Sequence, residues 1–118
     1  MNLYHLNNLA LLTDLYELTM AQGYYLYHRN LNVVFDMFFR NPPFQGGYTV
    51  FAGLEPLIKT VLNIRFSPDD INYLASLNLF KPAFLKFLAE FRFSGDIFAV
   101  EEGEIVFRDG KAVQIDLE

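Results

Sequence analysis

Few residues in this chain are equipped for chemistry, and they are scattered. There are two histidines, His5 and His28, and no cysteine. Neither histidine has a partner at H-x-x-x-H spacing, and no C-x-x-C or paired-aspartate pattern suggests a metal. A lone histidine is more often a surface or cap residue than a catalyst. Asp14 and Tyr16 lie at the start of a helical stretch, where unsatisfied N–H groups and the positive end of the dipole can face a ligand or partner. Arg40 closes an apolar strand. It needs a partner or water there, and a solvated strand end explains it. Gly46-Gly47 follows Pro42 and Pro43 in a loop. The pair could let backbone N–H groups approach a phosphate, or could simply reverse the chain. There is no Walker loop and no dinucleotide fingerprint.

The elements that would hold these residues can be read from periodicity. Thr13 to His28 reads as a helix. With Asp14 as the cap, Glu17 falls at the third helical position and completes a capping box. Leu12, Tyr16, Met20, Tyr24 and Tyr27 fall on one stripe, and Leu11, Leu15 and Leu18 on a second beside it. Such a helix needs cover on two sides, and core packing is the plain reading of Tyr16. Val33 to Arg40 alternates as a strand, with Val34, Asp36, Phe38 and Arg40 on one face. Asp36 and Arg40 are roughly 13 Å apart there, too far to pair, so each needs another partner.

Residues 41–47 form the loop, and Tyr48 to Ala52 a short strand. Glu55 to Asn63 is a helix with Leu57, Ile58, Val61 and Leu62 inward. Ser67-Pro68-Asp69-Asp70 starts a helix that runs to about Leu77. Lys81-Pro82 starts another, with Phe84, Leu85, Leu88 and Phe91 inward. Strands follow at Ile97–Val100 and Ile105–Arg108. Asp109-Gly110 reads as a hairpin turn into a strand with Val113, Ile115 and Leu117 on one face. The expected architecture is α+β, one domain over residues 1–118, with helices packed on a small, mostly antiparallel sheet.

Composition narrows the possibilities. The chain has 118 residues, 53% hydrophobic and 17% aromatic, with thirteen Phe and seven Tyr. One small core cannot hide that much apolar surface, so part of it is expected to meet another domain or subunit. The formal net charge is −5, which makes nucleic acid a poor partner. No apolar run approaches the roughly 20 residues of a membrane span, and no signal peptide is evident at the start. A cytoplasmic setting is expected, compatible with the lack of cysteine.

The run Thr13-Asp14-Leu15-Tyr16-Glu17-Leu18-Thr19-Met20-Ala21-Gln22-Gly23-Tyr24 resembles the opening of the nicotinate phosphoribosyltransferase family. The resemblance continues through Phe35-Asp36-Met37-Phe38-Phe39-Arg40, Pro43-Phe44-Gln45-Gly46-Gly47-Tyr48 and Phe51-Ala52-Gly53-Leu54-Glu55. It ends with Phe91-Arg92-Phe93-Ser94-Gly95-Asp96 and Ala99-Val100-Glu101-Glu102-Gly103. Past Phe107 the agreement weakens.

The resemblance implies the N-terminal α+β domain of nicotinate and quinolinate phosphoribosyltransferases, without the barrel-like domain. That barrel carries most contacts to phosphoribosyl pyrophosphate (PRPP) and the histidine phosphorylated when ATP is used. No catalytic residue is therefore assigned in this chain, since neither histidine stands in a matching motif. The resemblance does imply substrate-binding roles. Tyr16 would stack on the nicotinate ring, reaching into the neighbouring subunit's site of a homodimer. Arg40 would lie near the phosphate-bearing substrate. Asp14 would orient or cap beside Tyr16, and Gly46 and Gly47 would form a loop at the edge of the site. ATP, PRPP and Mg are implied for the full-length enzyme, with none bound by this chain alone. Two other readings stay open: a non-catalytic interaction domain or split-enzyme subunit that pairs with a barrel-containing chain, and a small-ligand module using Tyr16 and Arg40.

Overall fold

The computed structural model describes residues 9–117. The lead of residues 1–8, with His5, lies outside the described residues. The order is α1 (Leu15–Tyr27), β1 (Val33–Phe38), a 3-10 turn (Pro43–Gln45), β2 (Tyr48–Val50), α2 (Leu54–Asn63), α3 (Pro68–Ser76), α4 (Pro82–Glu90), β3 (Gly95–Ala99), β4 (Ile105–Phe107) and β5 (Lys111–Leu117). The expected α+β class is what the chain adopts. It divides into two compact units, one of residues up to 30 with 60–93, the other of residues 31–59 with 94 onward.

The first unit is helical. Its core is Leu18, Leu74, Phe80, Phe84 and Leu88, with Phe84 and Leu74 fully buried. Tyr25 of α1 adds a ring 5.6 Å from Phe84 and 4.9 Å from Phe87. The α3 start is built as its sequence reads. The Ser67 hydroxyl accepts from the Asp70 N–H, and the Asp70 carboxylate accepts from the Ser67 N–H at 2.7 Å. Pro68 sits at the first helical position, where its missing donor is no loss. At the far end of α1, Arg29 closes the helix. Its Nε donates to the Tyr25 carbonyl at 2.8 Å, and its guanidinium lies 3.9 Å from the Tyr25 ring centre.

Two expectations for α1 fail. Asp14 is the N-cap residue, but its side chain makes no cap bond. Glu17 instead accepts from the Thr13 hydroxyl, so the capping box does not close. Nor is the helix covered on two sides. Leu18 is buried, whereas Leu12, Tyr16, Met20, Tyr24 and Tyr27 are all exposed.

The second unit holds two small antiparallel sheets. In the first, β5 lies between β1 and β3; in the second, β2 pairs with β4. Phe51, Val106, Ala112 and Val113 form its core, packed by Phe39, Leu54, Leu57, Ile97 and Ile115. The Asp109-Gly110 turn therefore makes no hairpin: it passes the chain from one sheet to the other. A two-residue hairpin of the favoured type needs positive φ at both positions, and only Asp109 has it, at 58°. Its N–H is bonded to the Phe39 carbonyl at 3.0 Å. β1 stops at Phe38, two residues short of Arg40, with a register shift between Met37 and Phe38. On α2, Leu57, Ile58 and Val61 are half-buried as expected, but Leu62 is exposed. Gly95 is required where β3 meets β5: it has φ +148°, and a Cβ there would fall 2.1 Å from the Asp116 carbonyl oxygen.

One side chain ties this unit together. The Glu102 carboxylate accepts from the Gly53 N–H at 2.7 Å and the Leu54 N–H at 2.8 Å. It thereby caps α2 from a turn distant in sequence. Backbone bonds between Phe51 and residues 103 and 104 hold that turn against the end of β2. Glu102→Gln keeps one acceptor oxygen and should cost about 1 kcal/mol; Glu102→Ala loses both and should cost about 2 kcal/mol. Urea unfolding checks the order, and hydrogen exchange should show the Gly53 and Leu54 amides losing protection. The exposed apolar surface carries a further expectation. The isolated chain should self-associate and bind a hydrophobic dye. Sedimentation showing a monomer at high concentration, with no dye binding, would contradict it.

Candidate functional site

Residues expected at the site fall into two groups. Asp14 and Tyr16 belong to the helical unit, and Arg40, Gly46 and Gly47 to the sheet unit.

Asp14 and Tyr16 stand at the entry of α1. Asp14 has extended backbone geometry as the N-cap, and its carboxylate is exposed. Tyr16 is 59% exposed, so core packing does not account for its ring. Its carbonyl accepts from the Thr19 hydroxyl at 2.9 Å. Around it lie Leu12, Met20, Tyr24 and Tyr27, at 78%, 53%, 52% and 77% exposure. This is a continuous apolar and aromatic stripe presented outward by a rigid helix. A flat ring held this way offers a stacking wall with a polar tip.

Arg40 follows the end of β1 in a bend. Its guanidinium lies 6.0 Å from the Phe38 ring centre. Asp36, its neighbour on the strand face, pairs instead with Lys111 at 2.9 Å. Asp36 and Arg40 thus do not pair with each other, as their spacing predicts. Arg40 keeps an exposed, planar cation.

In the loop the glycines differ. The Gly46 N–H donates to the Pro43 carbonyl at 3.0 Å, and a Cβ at Gly46 would meet that carbonyl at 3.2 Å. Gly46 therefore serves the turn itself. At Gly47 nothing lies within 4 Å of a Cβ position, so a ligand or another chain has room to approach. Sequence reasoning assigned no role to the two residues before this pair. Phe44 and Gln45 hold φ of 57° and 55°, a left-handed conformation that costs about 1–2 kcal/mol per residue. The Phe44 ring is fully exposed, at 101%. Pro42-Pro43 was the available signal, because it commits the backbone just before the strained pair.

The Gly53 and Leu54 N–H groups, a natural anion cradle at a helix start, are filled by Glu102. Beside them lies a shallow depression of about 510 Å3 lined by Leu54, Glu55, Pro56, Ile58, Lys59 and Glu102. It contains none of the expected site residues. Lys59 hydrogen-bonds Glu55 and, with its charge, holds that carboxyl below the usual range. Among the described residues, no three His, Cys, Asp or Glu side chains converge as a metal site. No helix among the described residues is long and apolar enough to cross a membrane.

Comparison with known proteins gives this arrangement its context. The family profile of the nicotinate phosphoribosyltransferase (NAPRTase) N-terminal domain matches residues 11–118. The chain is 42% identical over 106 residues to nicotinate phosphoribosyltransferase pncB2 of Mycobacterium tuberculosis, covering 90% of this chain and 23% of the relative. It is 35% identical over 112 residues to the Bacillus subtilis nicotinate phosphoribosyltransferase, covering 93% and 23%. The crystal structure of human nicotinic acid phosphoribosyltransferase superposes with a TM-score of 0.78 at 31% identity, covering 89% of this chain and 22% of that one. The chain spans less than a quarter of the length of these relatives. With most of its residues inside the profile and its fold matching, the chain belongs to the nicotinate phosphoribosyltransferase N-terminal domain family.

Proposed function

We propose that this chain is the N-terminal part of an enzyme that joins nicotinate to PRPP. ATP hydrolysis would drive the reaction, giving nicotinate mononucleotide and pyrophosphate in NAD salvage in the cytoplasm. The chain's share is binding. Tyr16 stacks on the pyridine ring across a homodimer interface, and the exposed Asp14 carboxylate beside it orients the bound ring. Arg40 engages the phosphate-bearing substrate, and Gly47 gives it room. The barrel domain supplies the remaining PRPP contacts and the phosphorylated histidine. The observation that carries this reading is the outward Tyr16 ring on α1, within an apolar stripe that this chain leaves exposed. A core tyrosine would be buried, and a surface helix serving only its own chain would turn polar residues outward.

By itself the chain should form no nicotinate mononucleotide. Measurable product from the purified chain would overturn that expectation. In a full-length enzyme, Tyr16→Ala should cost roughly 2–4 kcal/mol in kcat/KM, from lost stacking and buried area, and Tyr16→Phe much less. Arg40→Lys should weaken use of PRPP more than of nicotinate, because the charge survives and the fork does not. Subunit mixing tests the cross-dimer role. Tyr16→Ala subunits combined with subunits lacking the barrel histidine should recover part of the activity, since one hybrid site then holds both groups intact. Hybrids that form and stay inactive would assign Tyr16 to its own subunit.

A further inference from the structure

The outer face of α1 raises the question of what sets its direction. α1 is apolar around most of its girth: Leu15, Leu18, Met20, Tyr24, Tyr25 and Leu26 point to all sides. Burial of apolar area has no direction, so it does not by itself select one rotation of such a helix. Several rotations would each bury a comparable face, and most would turn Tyr16 inward or sideways.

Gln22 supplies the selection. Its Nε2 donates to the Leu79 carbonyl at 3.2 Å, and its Oε1 accepts from the Lys81 N–H at 2.6 Å. These backbone groups flank Phe80, which is buried, with its ring 5.8 Å from that of Phe84. One amide thus grips both sides of a core residue 58 positions away, donating at one end and accepting at the other. Reversing the amide would set donor against donor and oxygen against oxygen, so the pair of bonds is specific to one orientation. Lys81 is also the N-cap residue of α4 and offers no side-chain cap of its own.

We propose that Gln22 is a positioning residue for substrate binding: it fixes the rotation of α1 and so aims Tyr16 outward. Six residues at about 100° each place Tyr16 roughly 120° around the helix from Gln22 and about 9 Å along it. With one angle set, the other follows. Leu18 and Ala21 fill the space between α1 and the core, and Gln22 decides which face they belong to. This inference rests on the nicotinate-stacking reading of Tyr16.

The test begins with the chain itself. Hydrogen exchange should show the Lys81 amide protected in the wild type and unprotected in Gln22→Met, which keeps length but neither donates nor accepts as an amide does. Kinetics then use a full-length enzyme carrying this chain as its N-terminal segment. Gln22→Met should raise KM for nicotinate roughly three- to tenfold with kcat changed less than about twofold. Gln22→Glu keeps an acceptor for Lys81 but sets oxygen against the Leu79 carbonyl, and should fall between. Ser67→Ala removes the α3 cap in the same unit. It should lower the melting temperature without raising KM, which separates aim from stability. On a Tyr16→Ala background, Gln22→Met should have no further effect on KM. An additive effect there, or a wild-type KM in Gln22→Met beside a defective Tyr16→Ala, would overturn the positioning role alone. A silent Tyr16→Ala would overturn the stacking reading and this inference with it.

Discussion

Apolar surface outruns the cores that can receive it. More than half of the residues are hydrophobic, yet they are divided between two units, each with a small buried cluster. Fully burying a large apolar side chain is worth roughly 1.5–3 kcal/mol, so leaving Leu12, Tyr16, Met20, Tyr24 and Tyr27 in water forgoes a sum comparable to a domain's net stability. A sequence that keeps such a stripe through a well-formed helix has not optimised the stability of this segment in isolation. An exposed apolar stripe of this size is what a partner surface would cover under the proposed role.

Because apolar contacts are abundant and undirected, orientation falls to a few polar side chains that reach backbone groups far away in sequence. Glu102 does this for α2 and the end of β2, Gln22 for α1 and the segment around Phe80. Each satisfies two backbone groups with one side chain. Each such bond contributes only about 1 kcal/mol, and their larger effect is to exclude arrangements that burial would tolerate equally well. The two anchors also have opposite consequences for ligands. Glu102 fills the N–H groups at the start of α2 and removes an anion site, while under the proposed role Gln22 would aim Tyr16 toward a ligand.

Local signals were legible wherever a few neighbouring residues decide the outcome. Ser67, Pro68 and Asp70 carry the whole α3 start, and the structure builds it as read. The α1 stripe was equally legible as a periodicity, but whether it faces core or solvent is not a local property. Leu18 and Tyr16 lie two positions apart with similar apolar character, and their burial differs because α3 and α4 pack on one side only. Asp109-Gly110 misled for the same reason. It is a sound turn, but the strands on either side of it pair elsewhere, and Asp109 donates its N–H to Phe39. The Asp14 capping box fails at both halves: the Glu17 N–H donates to the Asp14 carbonyl at 3.1 Å, and the Glu17 carboxylate accepts from the Thr13 hydroxyl.

For the site itself, sequence could name residues but not their availability. Arg40 and Asp36 on one strand face suggested two charges in search of partners. The structure gives Asp36 to Lys111 and leaves Arg40 beside the Phe38 ring. An arginine already held bidentate by a carboxylate would have to break that pair to meet a phosphate, whereas a guanidinium near an aromatic ring keeps its fork free. The glycines divide the same way: Gly46 is committed to Pro43, and Gly47 faces open space. Tyr16, Arg40 and Gly47 share one physical property that motif matching does not report: internal packing has not used up the face each would offer a ligand.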